Sequence, residues 1–281
     1  MQIGAVTFPT EHSMDVVELG RELEQRGYES FFVTEHTNIP VSRRTEWPGG
    51  GPIPEYYKQI LDPFVVLTAV AATTTRLLVG TGVCLVTQHD PVVLAKQVST
   101  LDRLSGGRFL FGVGAGWNED EMENHGTDPR TRWKLLRERV EAMRALWTED
   151  VAAYEGDLVR VQPTWQWPKP LQFPHPPVLL GASTPRAMAR AARYCDGWMP
   201  LTDRFGDAFL DAVAELRRLC AEGGRPDPIV MSYGLPRDDT TLERWREAGL
   251  VRALALLPSA PRDEVLRELE ARQPLVDRLN G

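Results

Sequence analysis

The chain has 281 residues, 42% of them hydrophobic and 25% charged, a balance that excludes a disordered chain. Its 39 acidic side chains outnumber the 32 basic ones, giving a formal charge of −7, which argues against nucleic acid or an anionic membrane as the main partner because both require clustered Lys and Arg. Cys84, Cys195 and Cys220 stand singly, which excludes a disulfide framework and any CxxC metal or redox motif.

Apolar, β-branched runs alternate with amphipathic runs from end to end. Gln2–Phe8 reads as a strand and Met14–Arg26 as a helix, with Val16, Val17, Leu19 and Leu23 on one face and Glu18, Arg21, Glu22 and Glu24 on the other. Ser30–Thr34 is the second predicted strand, followed by the Pro- and Gly-rich excursion Thr37–Ile60 and the helix Pro63–Thr73. Then come the strand Leu77–Val86, the helix Pro91–Leu104, the strand Phe109–Val113 and the helix Arg132–Trp147. A second excursion, Val151–Pro177, carries a hairpin turn at Glu155-Gly156-Asp157 and the stretch TWQWPKPLQFPHPP. The last four units are Val178–Gly181 with Pro185–Tyr194, Trp198–Leu201 with Asp207–Ala221, Ile229–Tyr233 with Leu242–Glu247, and Ala253–Leu257 with Arg262–Leu279. Pro63, Pro91 and Pro185 open their helices, where a missing N–H costs nothing. Eight strand–helix units with no break favour a closed TIM-like (β/α)8 barrel over an open doubly wound sheet, as one domain spanning 1–281. No apolar run reaches the roughly 18 residues of a membrane span and no basic-then-apolar leader is seen, so the expectation is a cytoplasmic protein.

Several segments have residue types suited to chemistry. Thr34-Glu35-His36 closes the second strand at the face where barrels build active sites, and a His there can exchange a proton with a ligand near neutral pH. The commoner use of a strand-end His is a bond to backbone. His12, His89, His125 and His175 lie in loops or turns without a second His at ligand spacing, so no metal is expected. Gly112-Val113-Gly114-Ala115-Gly116 falls short of a dinucleotide fingerprint, since Trp117 occupies the place of its last glycine. It reads better as a small-residue strand end that admits a planar ligand.

Gly181-Ala182-Ser183-Thr184-Pro185-Arg186 joins a strand to a helix with exposed N–H groups, a helix N-terminus and a nearby guanidinium, which suits an anion as well as it suits ordinary capping. Gly82, inside a β-branched run beside Val83, marks a bulge or a close ligand. Trp117, Trp165, Trp167 and Trp198 are candidate pocket walls, with core or loop packing as the default. Glu35 and Glu119 could be paired as glycosidase carboxylates, a weak signal among many strand-end acids.

Taken in order, FFVTEHTNIP, the long stretch containing DPVVLAKQVSTLDRLSGGRFLFGVGAGW, and PPVLLGASTPRAMARAARYCDGWMP resemble the bacterial luciferase-like monooxygenase superfamily, and within it the actinobacterial branch that uses coenzyme F420. The resemblance covers most of the chain. It implies a deazaflavin ring over the strand ends, with His36 facing its reactive edge and Glu35 as the acidic neighbour, both catalytic. It also implies a bulge at Gly82–Val83, with a non-prolyl cis peptide supporting one ring face. Ala115, Gly116 and Asn118 would border the ring and ribityl chain. The amides of Gly181, Ala182, Ser183 and Thr184, with Arg186, would bind the coenzyme phosphate. Arg43 and Arg44 are candidates to meet the carboxylates of its tail.

One departure stands out: Trp117 replaces the acidic residue that sugar-phosphate dehydrogenases of the superfamily place just after the fourth strand. The expected activity is therefore hydride transfer between coenzyme F420 and a small organic substrate, by a homodimer. An FMN-dependent monooxygenase and a non-enzymatic flavin-binding protein are the rivals.

Overall fold

In a strand buried on both sides, alternate side chains serve opposite cores. The computed structural model describes residues 1–41, 44–236 and 238–280. Its strands in chain order are β1 (Gln2–Thr7), β2 (Ser30–Val33), β3 (Leu78–Thr81), β4 (Cys84–Leu85), β5 (Phe109–Gly114), β6 (Ala152–Glu155), β7 (Arg160–Thr164), β8 (Val178–Leu180), β9 (Gly197–Trp198), β10 (Ile229–Tyr233) and β11 (Arg252–Leu256). β6 and β7 form the expected antiparallel hairpin. The remaining strands form eight parallel staves, β3 and β4 together making one. β1 lies between β2 and β11, and the ladder runs on through β10, β9 and β8 to β5. β5 then pairs with β3 and β4, which closes the ring. Closure leaves no free edge in the barrel sheet.

Ile3, Ala5, Phe31, Val33, Phe109 and Phe111 point outward into the core shared with the helices. Between them Val6, Phe32, Leu110, Leu179, Met231 and Leu254 point inward and, with Met199, fill the barrel. Each fully buried side chain of this size contributes about 1.5–3 kcal/mol of transfer free energy, so a one-residue slip of register would forfeit both cores at once.

The helices are α1 (Val16–Gln25), α2 (Pro63–Ala71), α3 (Pro91–Leu104), α4 (Glu119–Asn124), α5 (Arg132–Thr148), α6 (Pro185–Tyr194), α7 (Phe209–Glu222), α8 (Asp239–Glu247) and α9 (Arg262–Asn280). Side chains cap five of them: Asp15, Asp62, Asp90, Thr184 and Asp238 accept from N–H groups of α1, α2, α3, α6 and α8. Proline occupies the first turn of α2, α3 and α6, as expected. No helix among the described residues is long and apolar enough to cross a membrane.

Two expectations need correction. Leu77–Val86 is not one strand: it breaks after Thr81, at the Gly82–Val83 peptide that is cis as expected, and a 3-10 turn at Val86–Gln88 follows β4. Helix α4 was not expected, because EDEMEN has no apolar stripe; only Glu121 and Met122 of it are buried.

The two excursions go to different places. The second packs on the outside of the barrel, where Gln166 Nε2 donates to the Val92 carbonyl and Asp102 accepts from the N–H groups of Leu171 and Gln172. The first folds over the C-terminal ends of the strands and is tied there by the Thr10–Ile60 bridge and by Arg204, which donates to the Pro48 carbonyl at 2.7 Å.

Candidate active site

A cavity of about 340 Å³ opens at the C-terminal ends of the strands, under the first excursion. Its lining includes Glu35, His36, Gly82, Val83, Ala115, Gly116, Gly181 and Ala182 of the expected site residues. Val83 explains the glycines around it. A Cβ on Gly114 would stand 2.6 Å from Val83 Cγ2, and one on Gly181 would stand 2.4 Å from Val83 Cγ1. The isopropyl group is therefore nested on two bare backbones, and it forms a ridge at the cavity. Gly116, with φ +79°, turns the chain at the end of β5 into a conformation that residues with a Cβ rarely adopt.

His36 is 9% exposed and reaches the cavity from the end of β2. Its Nδ1 lies 2.7 Å from Oε2 of Glu121, and its Nε2 accepts from the indole N–H of Trp117 at 3.2 Å. Indole only donates, so Nε2 presents its lone pair and the ring proton sits on Nδ1. Glu35, expected to act beside His36, is turned to other work. Its Oε2 accepts from the Leu85 N–H and its Oε1 meets His89 Nε2 at 2.8 Å. Burial alone would lower His89, but the hydrogen bond and charge of Glu35 outweigh it, and the net shift is upward. Glu35 therefore buttresses the segment after Val83, with one partner already on each oxygen.

Glu35, Cys84 and His89 bring ligand-type atoms within 4.8 Å of one another. Burial, reinforced by Glu35, holds the Cys84 thiol well above its ordinary value, so the trio is a hydrogen-bonded set with a protonated thiol at its edge.

Opposite Val83 the wall is aromatic. Phe8 and Tyr57 stand 5.2 Å apart, Tyr57 and His36 5.2 Å, and His36 and Trp117 5.7 Å, measured between ring centroids. Burial pushes the Tyr57 and Tyr233 phenols upward, so both stay neutral. The lining thus offers no unpaired charge among the described residues.

The loop Gly181–Thr184 divides its labour. Ser183 Oγ accepts from the Leu201 N–H at 2.8 Å, and Thr184 Oγ1 caps α6 through Ala187 N at 3.1 Å. Neither hydroxyl faces the cavity. The backbone N–H groups of Ala182, Ser183 and Thr184 meet no acceptor among the described residues, and Arg186 is exposed beside them.

Other expectations are corrected. Asn118 does not line the cavity: it is 1% exposed at the start of α4, and both its amide atoms lack a partner among the described residues. Trp165 and Trp167 are exposed on the second excursion, away from the site, while Trp198 is buried with its indole N–H on the Ala182 carbonyl. Arg44 is not free for a ligand, because Asp120 and Glu123 of the unforeseen α4 hold its guanidinium. Arg43 lies outside the described residues. Glu119 bonds Arg132 and does not line the cavity with Glu35, which removes the glycosidase pair.

Sequence reasoning also missed Phe8, Tyr57, Trp133, Tyr233 and Glu121. Phe8 and Tyr233 sit at strand ends, the same signal that singled out His36. Glu121 carried no such mark.

A family model described as luciferase-like monooxygenase matches residues 2–275. An uncharacterized protein of Mycobacterium tuberculosis is 40% identical over 276 residues, 96% of each chain. An F420-dependent glucose-6-phosphate dehydrogenase of Nakamurella multipartita is 27% identical over 252 residues, 87% of this chain and 70% of its own. An FMNH2-dependent dimethylsulfone monooxygenase of Pseudomonas putida is 30% identical over 174 residues, 60% of this chain and 47% of its own. Among solved structures, an F420-dependent secondary alcohol dehydrogenase superposes with a TM-score of 0.79 over 99% of this chain and 98% of its own, at 17% identity, a likeness of fold.

Proposed function

The chain belongs to the luciferase-like monooxygenase family, and from that premise we propose that it is a coenzyme F420-dependent oxidoreductase acting on a small organic substrate. The observation that carries this reading is His36, set at the cavity with its Nε2 lone pair directed to the Trp117 indole. Hydride transfer to or from a carbon that bears an oxygen needs a group that takes up or returns a proton within hydrogen-bond reach. His36 is placed to be that group once the Trp117 indole yields Nε2 to the substrate oxygen.

The residues present fit a tricyclic ring carrying a phosphate. Ala115, Gly116, Gly181 and Ala182 leave open backbone around the Val83 ridge, enough for a flat ring to approach. The N–H groups of Ala182, Ser183 and Thr184, the start of α6 and Arg186 would hold the phosphate. When bound, a deazaflavin supplies a two-electron hydride carrier. Val83 and Gly82 would support one ring face, and Tyr57, Phe8 and Trp117 would exclude water from the other. Glu35 would keep β4 and His89 in place behind the ridge. With no unpaired charge in the lining, the substrate is expected to be neutral and largely apolar, since a buried, unmatched ion is costly.

A second reading, an FMN-dependent monooxygenase, draws support from Arg44. Its pairing with Asp120 and Glu123 removes one cation that a polycarboxylate tail would want. Equilibrium titration of the coenzyme-free protein with each coenzyme, followed by turnover in an oxygen electrode, separates the two. Tighter binding of F420 with no oxygen consumed supports the first reading. Tighter binding of FMN with oxygen consumed replaces it by the second, and binding without turnover points to a flavin carrier.

A further inference from the structure

We propose that Glu121 is a positioning residue, which fixes the proton of His36 on Nδ1 and thereby keeps Nε2 an acceptor at the cavity. The inference rests on the proton-transfer role given to His36 above.

Four carboxylates lie on α4, and three of them face outward. Asp120 and Glu123 hold Arg44, and Glu119 holds Arg132. Glu121 alone of the four points to the strand ends, with its side chain 1% exposed and its Oε2 2.7 Å from His36 Nδ1. A carboxylate accepts and does not donate, so this contact places the imidazole proton on Nδ1. The Trp117 indole on the opposite side donates and does not accept, and it demands the same tautomer. Two partners of opposite hydrogen-bonding sense thus agree on one arrangement of a ring that would otherwise distribute its proton between both nitrogens.

The other oxygen, Oε1, is buried with no partner among the described residues. A carboxylate so enclosed is a costly way to fill space, because an amide or an aliphatic side chain would do it without burying an ionisable group. What the carboxylate adds is specific to His36. It orients the ring, and it would offset the charge that forms when Nε2 releases the Trp117 indole and takes a proton, as the buried acid of a hydrolase triad does for its histidine. The Nδ1 proton stays in its bond to Glu121, and no proton has to pass to the glutamate.

The test uses 15N-labelled protein without coenzyme, its His36 ring signals assigned by their loss in His36→Gln. The wild type is expected to show the proton on Nδ1. In Glu121→Gln and Glu121→Ala, each combined with Trp117→Phe so that no indole dictates the tautomer, the Nδ1-protonated share is expected to fall below half, while Trp117→Phe alone keeps the proton on Nδ1. In the single Glu121→Gln variant turnover should drop about 10- to 100-fold with KM moved less than about threefold, the pattern of an interaction that matters in the transition state. A wild-type proton on Nε2, or an unchanged tautomer in both double variants, overturns the proposal. Because the ring signals are read on the chain alone, failure of the coenzyme reading would show as absent turnover and would leave this result intact.

Discussion

Val83 nests on two glycines so closely that adding one methyl group should unseat it, and removing its own methyls should restore room. Consider Gly181→Ala. The new Cβ would stand 2.4 Å from Val83 Cγ1, whereas the next neighbours, Val83 Cβ and Met199 Cγ, lie at 3.6 and 3.7 Å, ordinary contact distances. Valine is stiff at χ1 and has no flexible end to swing away, so overpacking should cost about 1–3 kcal/mol. Val83→Ala alone removes both Cγ atoms of a half-buried side chain, at about 1 kcal/mol. In the double variant the clash is gone, and Gly181→Ala should become neutral or stabilising by about 0.4–1 kcal/mol through the unfolded chain. Urea unfolding of the four proteins measures the cycle, and the expected coupling is about 1–3 kcal/mol. Gly114→Ala should behave alike through Cγ2, where the remaining neighbours are at 3.6 and 3.8 Å. Additivity within about 0.5 kcal/mol would refute the nested ridge.

His36→Ala should lower turnover by roughly 10²-fold or more, as loss of a proton-transfer group does; an unchanged steady-state rate would reduce His36 to packing. The raised pKa of His89 means that its protonated form is the stabilising one in the fold. Its contribution is complete below the ordinary value of 6.5 and fades as pH rises through the higher folded value. The gap in melting temperature between wild type and His89→Gln should therefore be wider near pH ~5.5 than near pH ~9, and an equal gap would contradict the Glu35 pairing. Cys84, Cys195 and Cys220 are all buried with their thiols pushed upward by burial. A disulfide reagent at neutral pH should modify the native chain slowly and the urea-unfolded chain at once. Rapid labelling of the folded protein would show that one of these pockets is open.

The barrel was legible in the sequence because its signals are local and repeated. Buried strands such as Phe109–Gly114 read as unbroken apolar runs, and Asp or Thr before Pro marks the starts of α2, α3 and α6. The ends of strands were legible too, which is why His36, Gly82, Ala115 and Gly181 all reached the cavity. What failed was everything set by tertiary partners. Glu35 is next to His36 in the chain and lines the cavity with it, yet its carboxylate is engaged by the Leu85 N–H and by His89. Asn118 follows the lining residues Gly116 and Trp117 but turns inward at the start of α4. Arg44 looked free until α4 supplied its two acids, and α4 itself is too short and too acidic to announce a helix. Trp165 and Trp167 have the composition of a pocket wall, but the second excursion runs along α3 on the outside.

The central claim is that a deazaflavin lies on the Val83 ridge with its phosphate on the loop before α6. A crystal structure of the chain with coenzyme F420 tests it most directly. The account expects one ring face against Gly82 and Val83, the other toward His36 and Trp117, and phosphate oxygens on the N–H groups of Ala182, Ser183 and Thr184. A ring bound elsewhere, or a phosphate held away from that loop, would contradict it.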